Sequence, residues 1–302
     1  MKVFKNEKAK TKVFETYDQL LSMWGTELRE MDVDTEYGST HLIVCGNESN
    51  PPLVLFHGVG DNSALMWIYN ARELSRYFHV YAVDTIGGPG KSRPNENYNK
   101  GFDQIKWIDE VFAGLGIEKA YVAGVSNGAY ITQHYGICRP EKVIKMVCMA
   151  GGIAAEGGED PLKTMLKVFL PEALLPTKKN VVKLIVKLTG QHSNVFTDNA
   201  VIMEHYTYLL RGFNKMSMAY HKFETFDEKQ ISNIAGKCIF LCGDEDPLGN
   251  VSVAKERFDK YHLEYQIYEG AGHGINHEIS ELINNRIIEY FNALQVHERN
   301  RA

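Results

Sequence analysis

The chain has 302 residues, of which 44% are hydrophobic and 24% charged, and it carries a net charge of −5. That length holds one large core with an insertion, or two domains, and the composition is ordinary for a soluble globular protein. The acidic balance offers no field for nucleic acid or anionic lipid, and no stretch is long and apolar enough to suggest a membrane span.

From the N-terminus, residues 14–24 read as a helix with Tyr17, Leu20, Leu21 and Trp24 on one face. Extended runs over 27–35 and 39–45 meet at Glu36-Tyr37-Gly38, a hairpin signal. Pro52-Leu53-Val54-Leu55-Phe56 is a continuous apolar run that fits a strand buried on both faces, and it ends in His57-Gly58-Val59-Gly60. A helix over 63–74, a buried strand over 78–83 ending at Asp84, and a helix over 103–115 follow. A strand then leads into Gly124-Val125-Ser126-Asn127-Gly128 and a helix, and a further strand covers 143–150. From 153 to about 235 only helical patterns occur, over 161–170, 178–188, 198–211 and 227–234. Strands return at 238–242 and 264–268, and a helix over 277–294 closes the pattern. This alternation predicts an α/β fold with a mostly parallel eight-stranded sheet and helices on both faces. The core spans 1–152 and 236–302, and a helical cap over 153–235 is inserted after the sixth strand, above the carboxyl ends of the strands.

Ser126 sits between a strand and a helix, in Gly-x-Ser-x-Gly. A turn that sharp brings backbone close on either side, so side chains at 124 and 128 would collide and glycine suits both places. The serine then projects from the sheet end beside the leading N–H groups of a helix, which can hold an oxyanion. A serine hydroxyl needs a base, and the base needs an orienting carboxylate. Two later loops at strand ends offer them, Gly243-Asp244-Glu245-Asp246-Pro247 and Gly270-Ala271-Gly272-His273-Gly274. Each alone reads as an ordinary turn. The order serine, acid, histidine, with all three at strand ends, points to a hydrolase. Spacing alone leaves Asp244, Glu245 and Asp246 open as the acid.

These loops, with His57-Gly58-Val59-Gly60, resemble the signature loops of the α/β-hydrolase superfamily in its serine-nucleophile branch. The stretch from Tyr17 to Trp24, the turn Gly38-Ser39-Thr40-His41, Pro51 to Gly58 and Gly116-Ile117-Glu118-Lys119 resemble bacterial carboxylesterases of the naproxen-esterase type. The resemblance implies Ser126 as nucleophile, Asp246 (the carboxylate before the proline) as acid and His273 as base, with the backbone N–H groups of Val59 and Asn127 as oxyanion hole. It also implies no cofactor and no metal. The loop from Asp84 to Ser92 is one residue longer than in many relatives, and Lys237 stands where they often have proline.

Other motifs are weaker. Gly90-Lys91-Ser92 resembles the end of a phosphate-binding loop, but Thr85 stands where that motif needs glycine. His273 and His277 have the spacing of a helical zinc pair, against which Gly274 argues. In the insertion, His192, His205 and His221 read as helix-surface or pocket-wall residues, and Lys178, Lys179, Lys183 and Lys187 as a solvated face. Leu162, Met165, Leu166 and Phe169 are candidates for an apolar acyl pocket. Five cysteines without Cys-x-x-Cys spacing, and a Lys-rich start with no apolar run behind it, lead us to expect a cytoplasmic protein. The expected function is hydrolysis of a small or medium carboxylic ester through an acyl-serine. The alternatives are a thioester, lactone or C–C bond cleaved by the same triad, or a ligand-binding protein with an idle one. Oligomeric state is left open.

Overall fold

The structure, a computed structural model, describes residues 2–156, 168–169, 172 and 175–299. Helix α1 (Glu7–Ser22) starts ahead of residue 14 because the Asn6 side chain accepts the N–H of Ala9 and caps an earlier turn. Strands β1 (Leu28–Thr35) and β2 (Gly38–Cys45) form the anticipated antiparallel hairpin. Gly38 is required at its turn: φ is 125°, and a Cβ would lie 2.2 Å from the Arg93 carbonyl oxygen.

Strand β3 (Pro52–Phe56) leads into two short helices, α2 (Ser63–Met66) and α3 (Ala71–Leu74), where one had been expected. Strand β4 (His79–Val83) is followed by β5 (Arg93–Pro94), a two-residue strand on β2. Helix α4 (Gln104–Gly114) is capped by the Asp103 carboxylate. Strand β6 (Ala120–Val125), helix α5 (Asn127–Cys138) and strand β7 (Val143–Met149) complete the first half. Between β7 and β8 (Cys238–Gly243) the described elements are helical, apart from one bridge between Ala155 and Phe226. They include α6 (Lys178–Leu188), α7 (Asn194–Thr197), α8 (Ala200–Gly212) and α9 (Glu228–Ile231). Helix α10 (Val251–Lys260) and strand β9 (Glu264–Tyr268) follow. The helix expected over 277–294 is broken at Ile279 into α11 (Ile275–Glu278) and α12 (Ser280–Arg299).

The sheet order is β1-β2-β4-β3-β6-β7-β8-β9, with every pair from β4 to β9 parallel. Among the described residues nine strands stand where eight were expected, because β5 is too short to carry a periodic signal. The helical insertion therefore follows the seventh strand as observed. Alternate residues of each central strand enter opposite cores. Leu53 and Leu55 pack with α1, α2 and α3, while Val54 and Phe56 pack with α4 and α5. Burial on both faces explains why β3, β4 and β6 read as unbroken apolar runs.

The inserted helices are not held by the sheet alone. α1 lies against α8 so closely that a Cβ on Gly212 would come 2.8 Å from that of Ala9. Backbone bonds from Lys5 to the Gly212 carbonyl and from Asn214 to the Val3 carbonyl, both 2.9 Å, tie the same two segments. On α6, Val181, Leu184, Ile185 and Leu188 are buried and all four lysines are exposed, as a solvated face requires. Most of the helix expected over 161–170, including Leu162, Met165 and Leu166, lies outside the described residues.

Candidate active site

Ser126 stands between β6 and α5 with φ 57° and ψ −116°. For a residue with a side chain this conformation costs on the order of 1–3 kcal/mol and persists only where packing imposes it. The packing is explicit. A Cβ on Gly124 would lie 2.1 Å from the Gly128 carbonyl oxygen, and one on Gly128 would lie 2.0 Å from that of Phe56. Both contacts are with backbone and leave no room to shift. Ser126 is also fixed by its own N–H, which donates to the Met149 carbonyl at 2.8 Å, and by its carbonyl, which accepts from Tyr130 at 3.2 Å. Asn127 opens α5 directly after Ser126, and the first N–H groups of a helix have no partner within its ladder.

The loop after β3 passes beside this elbow, since a Cβ on Gly58 would sit 3.5 Å from that of Ser126. His57 holds the loop. The Thr85 N–H donates to its Nε2 at 2.9 Å, so the proton is on Nδ1, which donates to the Gly58 carbonyl at 2.8 Å. Burial pushes this imidazole below its ordinary pKa and keeps it neutral for that double duty. Val59, the next residue, is 45% exposed and so opens to solvent beside the elbow.

Asp246 and His273 are brought together, with Oδ2 of the acid 2.8 Å from Nδ1 of the imidazole. Burial lowers the affinity of His273 for a proton, but the Asp246 charge and hydrogen bond outweigh it, leaving the pKa above its ordinary value. The second Asp246 oxygen accepts the Leu248 N–H at 2.8 Å. The other two carboxylates of the loop are occupied elsewhere: Asp244 accepts from Gly270 at 2.8 Å, and Glu245 from the Gln191 side chain at 3.1 Å. Asp160 lies outside the described residues.

Glu278 is a brace that the sequence did not reveal. Its buried carboxylate accepts from Gly190 at 2.8 Å and from Gly272 at 3.1 Å, joining the end of α6 to the loop that carries His273. The His273 N–H donates to the Leu188 carbonyl at 2.7 Å, so the inserted helices help to set the imidazole.

Several weaker readings resolve. The Lys91 ammonium is paired with Asp18 and Glu30, and its N–H with Asp84, so the loop after β4 does not cradle phosphate. His277 is buried and bonded to the Leu65 carbonyl at 3.0 Å, and no metal-binding cluster occurs among the described residues. His205 is fully buried rather than on a surface or pocket wall, since it bridges Thr16 on α1 at 2.7 Å and Asn62 on the loop after β3 at 3.0 Å. The Arg211 guanidinium is spent on the Pro176 carbonyl.

Comparison with known proteins agrees with this architecture. Residues 51–187 match a family model described as the alpha/beta hydrolase fold. An uncharacterised carboxylesterase, nap, of Bacillus subtilis (strain 168) is 27% identical over 291 residues, covering 93% of this chain and 92% of that protein. Carboxylesterase YbfK of the same organism is 26% identical over 293 residues, with 92% of each covered. The crystal structure of naproxen esterase from Bacillus subtilis superposes with a TM-score of 0.82 at 25% identity, over 93% of this chain and 98% of that one. Fold, matched segment and end-to-end similarity agree: the chain has the α/β-hydrolase fold and is similar to bacterial carboxylesterases of the naproxen-esterase type.

Proposed function

We propose that this protein is a carboxylesterase that cleaves a small or medium carboxylic ester through an acyl-serine intermediate. The observations that carry the reading are the 2.8 Å bond between Asp246 and His273 Nδ1 and a serine in strained elbow geometry. Asp246 holds the proton on Nδ1 and leaves Nε2 as the base. Nε2 takes the hydroxyl proton as Ser126 Oγ attacks the ester carbonyl. The N–H groups of Val59 and Asn127 receive the oxyanion. As the tetrahedral adduct collapses, the imidazolium returns the proton to the departing alcohol. Water then attacks the acyl-serine by the same route, freeing the carboxylic acid and the serine hydroxyl.

On this reading, residues 1–152 and 236–302 form the catalytic core and 153–235 a cap over the strand ends. All five cysteines are free thiols, which supports a cytoplasmic setting. No helix among the described residues is long and apolar enough to cross a membrane, which suits a small-molecule substrate met in water.

The test is labelling with a fluorophosphonate, followed by assay on a panel of esters, thioesters and lactones, with Ser126→Ala beside the wild type. We expect label on Ser126 alone, turnover strongest on esters, and loss on the order of 10⁶ in kcat for the variant. A Ser126→Ala protein that retained a tenth of the wild-type rate would end the assignment.

A further inference from the structure

Asp61 lies two residues beyond Val59, on the loop proposed to bind the oxyanion, and only 6% of it is exposed. One oxygen accepts the N–H of the next residue, Asn62, at 2.7 Å. Asp61 belongs to no ion pair among the described residues. Besides that N–H, the group acting on it electrostatically is another acid, Asp84. Asp84 is itself fully engaged, accepting from the Tyr17 hydroxyl and from the N–H groups of Ser63 and Lys91. A carboxyl so buried ordinarily has a cation against it. Without one, burial raises its pKa to about 7.

The loop after β3 meets α8 at this point, since Asn62 Nδ2 lies 3.0 Å from Nε2 of His205. Tyr206, the next residue of α8, keeps accessible surface, and its phenol is pushed up by burial and by the Asp61 charge.

We propose that Asp61 is a recognition site for a protonated amine carried by the substrate, which supplies a cation that no described residue provides. This rests on the esterase reading and deepens it: the preferred ester carries an ammonium group within reach of the oxyanion loop. The amine nitrogen donates to the free edge of the Asp61 carboxylate, and Tyr206 packs beside it.

The inference can be tested without turnover. Hexylammonium and hexan-1-ol share an apolar tail, so titrating each calorimetrically at pH 8 isolates the charge. Wild type should bind hexylammonium at least about tenfold more tightly, a difference expected of a charge-assisted bond. Asp61→Asn should bring the ratio to about one. Should that variant fold poorly by thermal melt, Asp61→Ser provides the same readout. In turnover, the ratio of kcat/KM for 2-(dimethylamino)ethyl butyrate over its carbon isostere 3-methylbutyl butyrate should exceed one and collapse in the same variants. Equal or tighter binding of hexan-1-ol to wild type, or a preference that survives loss of the carboxylate, overturns the site. Such a result leaves ester cleavage standing. Ammonium preference in a protein that cleaves no ester would instead overturn the esterase reading and keep the site.

Discussion

Two histidines in this molecule sit against carboxylates at the same distance, and they differ in how their second nitrogen is used. His273 has Asp246 at 2.8 Å, and His41 on β2 has Asp32 at 2.8 Å and Glu30 at 2.9 Å. Both imidazoles are drawn above their ordinary pKa in spite of burial. The His41 group also lines an open concavity of about 420 Å³ with Lys91 and Arg93. The difference lies in how many nitrogens are used. Both nitrogens of His41 face carboxylates, so both must donate, the ring is an imidazolium, and no lone pair remains to accept a proton. Lys91 on Glu30 and Arg93 on Asp32 complete the charge balance. His273 commits Nδ1 to its acid, and in the proposed mechanism its Nε2 is the base. A histidine between two acids fastens strands, whereas one with a single acid can work as a base.

The strongest test exchanges the two. His273→Ala should lower kcat by an amount on the order of 10⁶ and leave the melting temperature close to wild type. His41→Ala should do the reverse, keeping turnover and losing about 1–3 kcal/mol of stability. Steady-state kinetics and a thermal melt on both variants read this out. Should His41→Ala be inactive while still folded, the distinction by free nitrogen is wrong.

Smaller effects follow from the acid. Asp246→Asn keeps the shape but favours the wrong tautomer, with an expected loss of about 10⁴ in kcat. Asp244→Asn should turn over normally, because Asp244 serves the Gly270 N–H and not the imidazole. The pH profile sharpens the point. Only neutral His273 can act as base, so kcat/KM should rise with pH through a midpoint above 6.5, the ordinary histidine value. Removing the Asp246 charge takes away what raises that midpoint, so the residual activity of Asp246→Asn should titrate at lower pH. An unmoved midpoint would mean that another group controls the profile.

How far the sequence spoke depended on the range of the force involved. The elbow was legible because Gly124 and Gly128 answer contacts made within a few residues or by the neighbouring strand. Strand β3 came out at its expected bounds because one apolar run coincides with one buried element. The choice of Asp246 among three adjacent acids rested on resemblance, since only tertiary packing decides which carboxylate meets His273. Glu278, His205 and Asp61 stayed hidden for the same reason. Their meaning lies in partners such as Gly190, Thr16 and Tyr206, far away in the chain. The two-residue β5 is too short to show a period, and the breaks at Trp67 and Ile279 fall where the sequence has neither glycine nor proline.

The smallest effect concerns the fastening histidine and is read in stability against pH. The bond from His41, helped by Lys91 and opposed by desolvation, holds Glu30 down to about 2, against 4.5 when unperturbed. A carboxylate with a depressed folded pKa stabilises fully above its unfolded value and loses that contribution as pH falls through the folded one. Wild type should therefore shed this part between about pH 4.5 and 2. His41 carries the opposite sign: its raised pKa gives a contribution present below 6.5 that fades as pH rises through the folded value. Glu30→Gln weakens both. Its melting temperature should lie below wild type most clearly in the window between those limits, from about pH 4.5 to 6.5. Glu30 is partly exposed, so the gap should be modest: about 1 kcal/mol, which is about 2 °C in a chain of this size. The two curves should draw together toward pH 2. Melts at half-unit steps of pH resolve this. A constant offset that persists at pH 2 would show that Glu30 acts through packing and that His41 does not depend on it for its charge.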